Sequence, residues 1–342
     1  MASNKPILRK PQDDQPPVDK PYQLVQFPQK PPTLRHPTGH DKYRADRLHG
    51  VLHLTLTVQT ALHVSTGVVA LGSDVGARIP LIKTMAQGTA NKLVIPGSSL
   101  KGVVRSAYEA ITNSTLAVAT NKYRSYLPPE RLPCPDKTRL CPASQVFGAL
   151  NWQGLVHFTD AHCEKANATT GFMPSLYRPR PEERDAYFQK GKAVGRKFYY
   201  HATNAVDGGD RGIPVQQAGI AYSFTTRLQF MNLTEAELGT LLIVLGQDKS
   251  YPLALKVGGG KPIGMGTMTA TVTGLERAKN LRDRYAAYTP PESDRLTGAA
   301  LESYLQNLVK VAHKKLIQTP QLQQLAEVLK WPTERTAPTG MY

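Results

Sequence analysis

The residues that could do chemistry fall into a few short groups, and the most conspicuous is KVGGGKPIGMGTM, Lys256 to Met268. A Walker A loop needs GxxxxGK[ST] opening a helix, because amides and lysine cradle phosphates while the hydroxyl holds magnesium. Here Pro262 follows Lys261, no Ser or Thr completes the motif, and the segment leads into a strand-like run. The dinucleotide fingerprint fails as well, since Ile263 stands where its third glycine belongs. What remains is Gly258, Gly259, Gly260, Gly264 and Gly266 beside Lys256 and Lys261. Residues without Cβ atoms let another backbone come close, which suits the sugar-phosphate chain of a single-stranded nucleic acid. The alternative is a turn that only joins helix to strand.

IPGSSLKGVVRSAYEAI, Ile95 to Ile111, is the strongest helix start. Pro96 and Gly97 break the chain, Ser98 or Ser99 is expected to cap, and Leu100, Val103, Val104, Ala107 and Ile111 recur at helical spacing. A helix N-terminus offers unpaired N–H groups and a positive dipole end. Ser98 and Ser99 add hydroxyls, Lys101 and Arg105 add charge for phosphates, and Gly97 and Gly102 permit close approach. An ordinary capped helix with an exposed Lys and Arg would look the same.

GRKFYYH, Gly195 to His201, sets Arg196 and Lys197 beside Phe198, Tyr199 and Tyr200. Aromatics stack on unpaired bases while basic groups hold phosphates; a strand with one aromatic face in the core is the other reading. Cys134, Cys141, His162 and Cys163 could in principle make a Cys3His zinc site. Six residues separate the first two, and Ser144 sits where a C-x-x-C with Cys141 would close, so the spacing argues for buried, unliganded thiols. His53 and His63 flank a strand-like run and read as edge or core residues, and RPRPEERD, Arg178 to Asp185, reads as a solvated loop.

The elements that must position these groups follow from pattern. Residues 1–47 hold nine of the 27 prolines and no apolar period, which predicts an extended arm without ladder hydrogen bonds. Leu52, Leu54, Leu56 and Val58 alternate with His53, Thr55 and Thr57 as in a half-buried strand. A glycine-containing loop (Ser65 to Gly76) and IPLIK follow, then the helix from Pro96 and a loop over 120–145. GLVHFTDAHC and IAYSFTTRLQFMNL read as strands around an irregular, basic insertion at about 164–215. Asn232 or Thr234 caps LTEAELGTLLIVLG, TMTATVTGL is a last strand, and LESYLQNLVKVAHKKL is an amphipathic helix. No internal repeat is evident.

That order is strand, helix, strand, strand, helix, strand: an α+β, ferredoxin-like (RRM-like) βαββαβ core over 48–275, with a Pro-rich arm at 1–47 and a helical tail at 276–342. Lys and Arg total 42 against 26 Asp and Glu, a formal charge of +16, which points to a polyanionic partner. No apolar run approaches the roughly 18 residues of a membrane span, no apolar signal centre opens the chain, and the cysteines are too few for a disulfide framework. A cytoplasmic protein without a membrane partner is expected.

IPGSSLKGVVRSAYEAI, CPASQVFGAL and GGGKPIGMG, in this order, resemble the signatures of the RAMP superfamily of CRISPR–Cas proteins. LHVSTG and NLTEAELGTLLIVLG add to the likeness, which covers about residues 49–275 and is nearest to backbone subunits of type III RNA-guided effector complexes. The resemblance implies a ferredoxin-like fold and partners in CRISPR RNA, complementary target RNA and neighbouring subunits, on which arm and tail would dock. It implies that the helix start and the glycine loop together face the guide backbone.

In catalytic relatives an Asp just before a segment like S-P-V-I-K cleaves target RNA with a divalent metal. Here Pro80 in ARIPLIK puts Arg78 at that position, and Arg neither ligates a cation nor acts as a base. The favoured expectation is therefore a non-catalytic subunit with Arg78 on RNA. Cleavage by Asp74, four residues earlier, with Mg2+ is the alternative. A stand-alone ribonuclease that processes CRISPR transcripts through a histidine, and a protein-interaction module whose basic charge is incidental, are further alternatives.

Overall fold

The computed structural model describes residues 20–164, 167–175, 187–277 and 294–338, with residues 286, 288 and 289. The segment RPRPEERD lies outside them. The protein is mixed α/β. Its principal sheet is built on three strands, β2 (Leu48–Val58), β11 (Ser223–Leu233) and β13 (Thr267–Arg277), the last two antiparallel to β2 on either side. Short strands complete it: β5 (Val94–Ile95), β6 (Val156–Phe158), β7 (Ala161–Cys163) and β12 (Leu255–Lys256). The order across the sheet is β12–β13–β2–β11–β7–β5, with β6 also on β11.

The period-2 pattern does what alternation requires. Leu52, Leu54, Leu56 and Val58 are buried, as are Phe224, Leu228 and Phe230 across from them. Two helices cover that face. One is α1 (Gly97–Ile111), which buries Leu100, Val104, Ala107 and Ile111. The other is α3 (Glu235–Val244), which opens with a capping box in which Thr234 and Glu237 satisfy each other's backbone amides. Apolar residues surround α3 because α4 (Gly298–Lys315) packs on its outer side. Gly239 makes that approach possible, for a Cβ there would lie 2.0 Å from the Leu308 carbonyl oxygen. A last helix, α5 (Thr319–Leu329), lies against α1.

Several segments differ from the sequence expectation. Ser65–Leu71 is a strand, β3, rather than a loop; it forms a hairpin with β4 (Leu81–Met85) around a short 3-10 turn at Gly72–Val75. Its side chains are nearly all exposed, so no alternation marked it. The insertion contains β8 (Thr169–Met173), β9 (Gly195–Tyr199) and β10 (Ile213–Gln217); β8 and β10 join the hairpin in a sheet ordered β8–β10–β4–β3. The expected loop at 120–145 includes a helical turn at Asn121–Arg124 and leads into α2 (Pro142–Phe147).

The arm is the largest departure. Tyr22–Gln26 forms a strand, β1, antiparallel to β9, so it does enter a ladder. Its described part docks on the chain's own body through two buried polar hubs. The guanidinium of Arg131, 1% exposed, donates to the carbonyls of Pro28 and Lys30 (2.8 Å for Lys30) and to Asn113. Asn232, fully buried at φ 56°, donates to the carbonyls of Gly39 and Lys42 and accepts from the Arg44 amide, each at 2.9 Å.

Candidate nucleic-acid interface

The helix start follows β5 directly, but neither serine caps it. Pro96 occupies the N-cap, and the Gly97 amide donates to the Asp160 carboxylate at 2.8 Å. Gly97 is required there, because a Cβ would lie 2.1 Å from the Phe158 carbonyl oxygen. The Ser99 and Leu100 amides turn back to the Pro96 carbonyl, while the Ser98 amide, at the exposed end, has no acceptor among the described residues. Lys101 stands one turn on, half-buried, with no acidic partner among the described residues. Burial and then the charge of Arg105 hold its pKa below the usual lysine range. Arg105 is engaged with Glu109 at 2.8 Å and reaches Ser144 at 3.4 Å.

The glycine loop bridges β12 and β13 in a tight coil. Gly258, Gly260, Gly264 and Gly266 all have φ between 65° and 90°, the left-handed region that glycine tolerates. A Cβ on Gly266 would sit 1.9 Å from the Val257 carbonyl oxygen, and one on Gly258 2.4 Å from that of His63. Lys256 faces inward: 6% exposed, it donates to the Gly264 carbonyl (3.2 Å) and to the Thr267 hydroxyl (3.3 Å). Burial and then the charge of Lys261 bring its pKa down to about 7. Lys261 is half-buried and is likewise lowered by burial. His201, behind Thr267, uses both ring nitrogens on Thr267 and the Ala254 carbonyl, and burial lowers it to about 3.

The two signatures start at opposite edges of the principal sheet, the helix after β5 and the glycine loop after β12. The body of α1 then crosses to meet β12. Backbone hydrogen bonds also link the two starts in a ledge. The Gly259 amide donates to His63, the Ala86 amide to Val64 and the Val94 amide to Ala86, at 2.8–3.0 Å. His63 is a buried member of this ledge, bonded through Nδ1 to the Gln216 carbonyl, and burial lowers its pKa. His53 sits half-buried on the open face of β2, 2.9 Å from Glu276.

The basic-aromatic segment is β9. Its Arg196 points inside, paired with Glu109 at 2.6 Å and donating to the Thr115 carbonyl at 2.9 Å. Lys197 is held among three tyrosine rings, its ammonium 3.8 Å from the centroid of Tyr22, 4.8 Å from Tyr199 and 5.3 Å from Tyr187. Phe198 is buried. Both cations expected on RNA therefore have internal partners that sequence adjacency did not reveal.

Asp74 and Arg78 lie exposed in the tip between β3 and β4, and Asp74 has a hydrogen bond from Ser73 at 3.4 Å. Around this hairpin Val68, Val69, Leu71 and Leu81 are each more than half exposed. Sequence reading missed this apolar surface, whose only local signal was valine and leucine without a helical or strand period. Cys134 and Cys141 meet, whereas His162 and Cys163 stand on β7. Among the described residues no group of three or more His, Cys, Asp or Glu is placed to hold a metal ion. No helix among them is long and apolar enough to cross a membrane.

No curated protein matches this chain. Among solved structures, one chain of a cryo-EM structure of the type III-B Cmr-beta bound to cognate target RNA is similar, at 15% identity and a TM-score of 0.35. The match covers 67% of this chain and 61% of that one, so the chain spans about three fifths of that neighbour's length. A likeness at that score carries no structural argument. The model of the RAMP superfamily matches residues 55–269, which include the helix start, the Cys141 segment and the glycine loop. The chain belongs to the RAMP superfamily.

Proposed function

We propose that this protein is a backbone subunit of a type III CRISPR–Cas ribonucleoprotein effector, in antiviral defence, that binds CRISPR RNA and helps position complementary target RNA. The observation that carries the reading is the Ser98 amide beside Lys101 at the start of a 15-residue helix, neither of them with an acceptor or an acidic partner among the described residues. Arg105 and Arg196 share the Glu109 carboxylate; Lys101 has no such partner among the described residues. An unpaired cation next to a free helix amide is a place for a backbone phosphate. The superfamily and the +16 charge support the same partner. Ser98, Ser99 and Lys101 would take phosphate at one edge, Lys261 with Gly258 and Gly259 at the other, and the ledge between them would span several nucleotides. Arg78 and the apolar surface of the hairpin would meet bases rather than phosphates, as inserted apolar side chains do elsewhere. Other effector subunits would be its protein partners.

We also infer that the core is ferredoxin-like. The run β2, α1, β6 and β7, β11, α3, β13 with spatial order β13–β2–β11–β7 supports this. The 48–275 core and 276–342 tail follow from that reading, with the arm as a strap on the core.

Binding of single-stranded RNA to the full chain, titrated against salt, tests the function. Lys101→Ala should weaken binding for every sequence and reduce the slope of log K against log salt by about 0.7. No retention of RNA by the native chain would defeat the proposal. A second reading, target cleavage with Mg2+, rests on the exposure of Asp74. In the assembled complex with magnesium, Asp74→Ala should then abolish cutting at this subunit's site; undiminished cutting removes Asp74 from the chemistry.

A further inference from the structure

The thiols left over by the zinc question are packed against each other. The Cys141 amide donates to Cys134 Sγ at 3.3 Å. One hydroxyl, Thr115 Oγ1, lies 3.4 Å from Cys134 Sγ and 3.2 Å from Cys141 Sγ, and Ser144 Oγ is 3.3 Å from Cys141 Sγ. Cys141 is buried, while Cys134 is half-buried and opens the pair to solvent. Two guanidiniums stand one hydrogen bond away: Arg105 on Ser144, and Arg196 on the Thr115 carbonyl.

From this geometry we propose that Cys134 and Cys141 are a peroxide-oxidisable dithiol that closes to an intramolecular disulfide. The hydrogen bond from Cys134, then those of Ser144 and Thr115, hold the Cys141 thiol well below its usual range; donating that bond, with burial, pushes Cys134 up. Cys141 is thus the thiolate that attacks, because the thiolate is the nucleophile. Its sulfur takes one peroxide oxygen as the O–O bond breaks, giving a sulfenic acid and hydroxide, which leaves as water with a proton. Cys134 sulfur then displaces the second hydroxide from Cys141, which takes the Cys134 proton and leaves as water. Two S–H bonds are exchanged for one S–S bond, and hydrogen peroxide is reduced to two waters.

The bond would staple a loop that holds the arm. Leu140, next to Cys141, exchanges both backbone hydrogen bonds with Arg35 at 2.9 and 3.0 Å, and Arg131 precedes the loop. Oxidation would therefore tighten the arm on the body, without any metal.

The test is to treat the full chain with hydrogen peroxide, block free thiols with iodoacetamide and map tryptic peptides. Lys137 and Arg139 lie between the two cysteines, so trypsin separates them unless they are bonded. The expected product is one linked pair of peptides, two hydrogens lighter than its parts and undone by a phosphine reductant, with Cys163 still alkylated. The melting temperature should rise and return on reduction. In Cys134→Ser, Cys141 should stop at a sulfenic acid that dimedone captures. Alkylation of both cysteines after peroxide in the native chain, or a bond from either to Cys163 or to a second molecule, overturns the proposal whatever the variant does.

Discussion

Arg196 reaches 2.6 Å into the carboxylate of Glu109, which Arg105 holds from the other side at 2.8 Å; the Glu109 and Arg196 side chains are 3% and 11% exposed. Burial lowers the Arg196 pKa, and Glu109 opposes that effect. Removing one partner of a buried pair costs about 3–5 kcal/mol when the other is left uncompensated, but here Arg105 still holds Glu109. Arg196→Ala should therefore lower stability by less than that, about 2 kcal/mol, in urea unfolding. RNA affinity, measured where the variant is still folded, should change much less than it does in Lys101→Ala.

Lys256 should give stability a pH dependence. Its folded value is about 7 against 10.5 unperturbed, so between those limits the unfolded chain binds a proton that the folded chain refuses. Stability then rises with pH through that window, by up to about 1.4 kcal/mol per unit, and the penalty of burial is complete below it. Lys256→Met should be more stable than the native chain at pH 7, with the difference shrinking toward pH 10.5. His201 acts in the acid range: lowered from 6.5 to about 3, it should cost stability progressively as pH falls between those values. Chemical denaturation across pH measures both.

Two glycines should answer oppositely. Gly266, at φ 82° against the Val257 carbonyl, should lose about 2 kcal/mol or more on change to Ala. Gly102 lies exposed on α1 with nothing within 4 Å, so Gly102→Ala should gain about 1 kcal/mol of helix stability. If the bare backbone at Gly102 is where RNA approaches, the same variant should bind RNA less well while melting higher. Melting curves and RNA titrations on the pair separate fold from binding.

Asn232 should control the arm. Asn232→Ala removes three hydrogen bonds to residues 39–44 and places alanine at φ 56°, which together should cost about 3 kcal/mol. The arm should become accessible to trypsin at Lys42 and Arg44 before the core does. Equal protection in variant and native protein would mean that Arg131, the Arg35–Leu140 pair and the β1–β9 ladder suffice to hold it.

What the sequence disclosed was whatever alternates or repeats within a few residues. Leu52 to Val58, the capping box at Thr234 and the apolar stripe from Leu100 were legible because one face of each is buried by a single layer. The hairpin from Ser65 was not, since exposed residues on both faces leave no period. The helix cap was not, because Asp160 arrives from 63 residues downstream. The candidate-site residues divide in the same way. The place of Lys101 follows from its own turn of helix, whereas Arg196, Lys197 and Lys256 depend on Glu109, Tyr22 and Gly264, partners that only tertiary packing supplies.

The strand Tyr22–Gln26 lies against α5, where the Gln26 amide donates to Gln324 and Gln23 to Glu327, contacts spanning 298 and 304 residues. Contacts that distant in sequence close late, because the entropy of the intervening loop must be overcome first. During synthesis the arm emerges well before β9 and has no complete seat until helix α5 has left the ribosome. Between the making of β9 and that of α5 the arm can pair with its strand but lacks its helix, so a segment made late decides when one made early is put away.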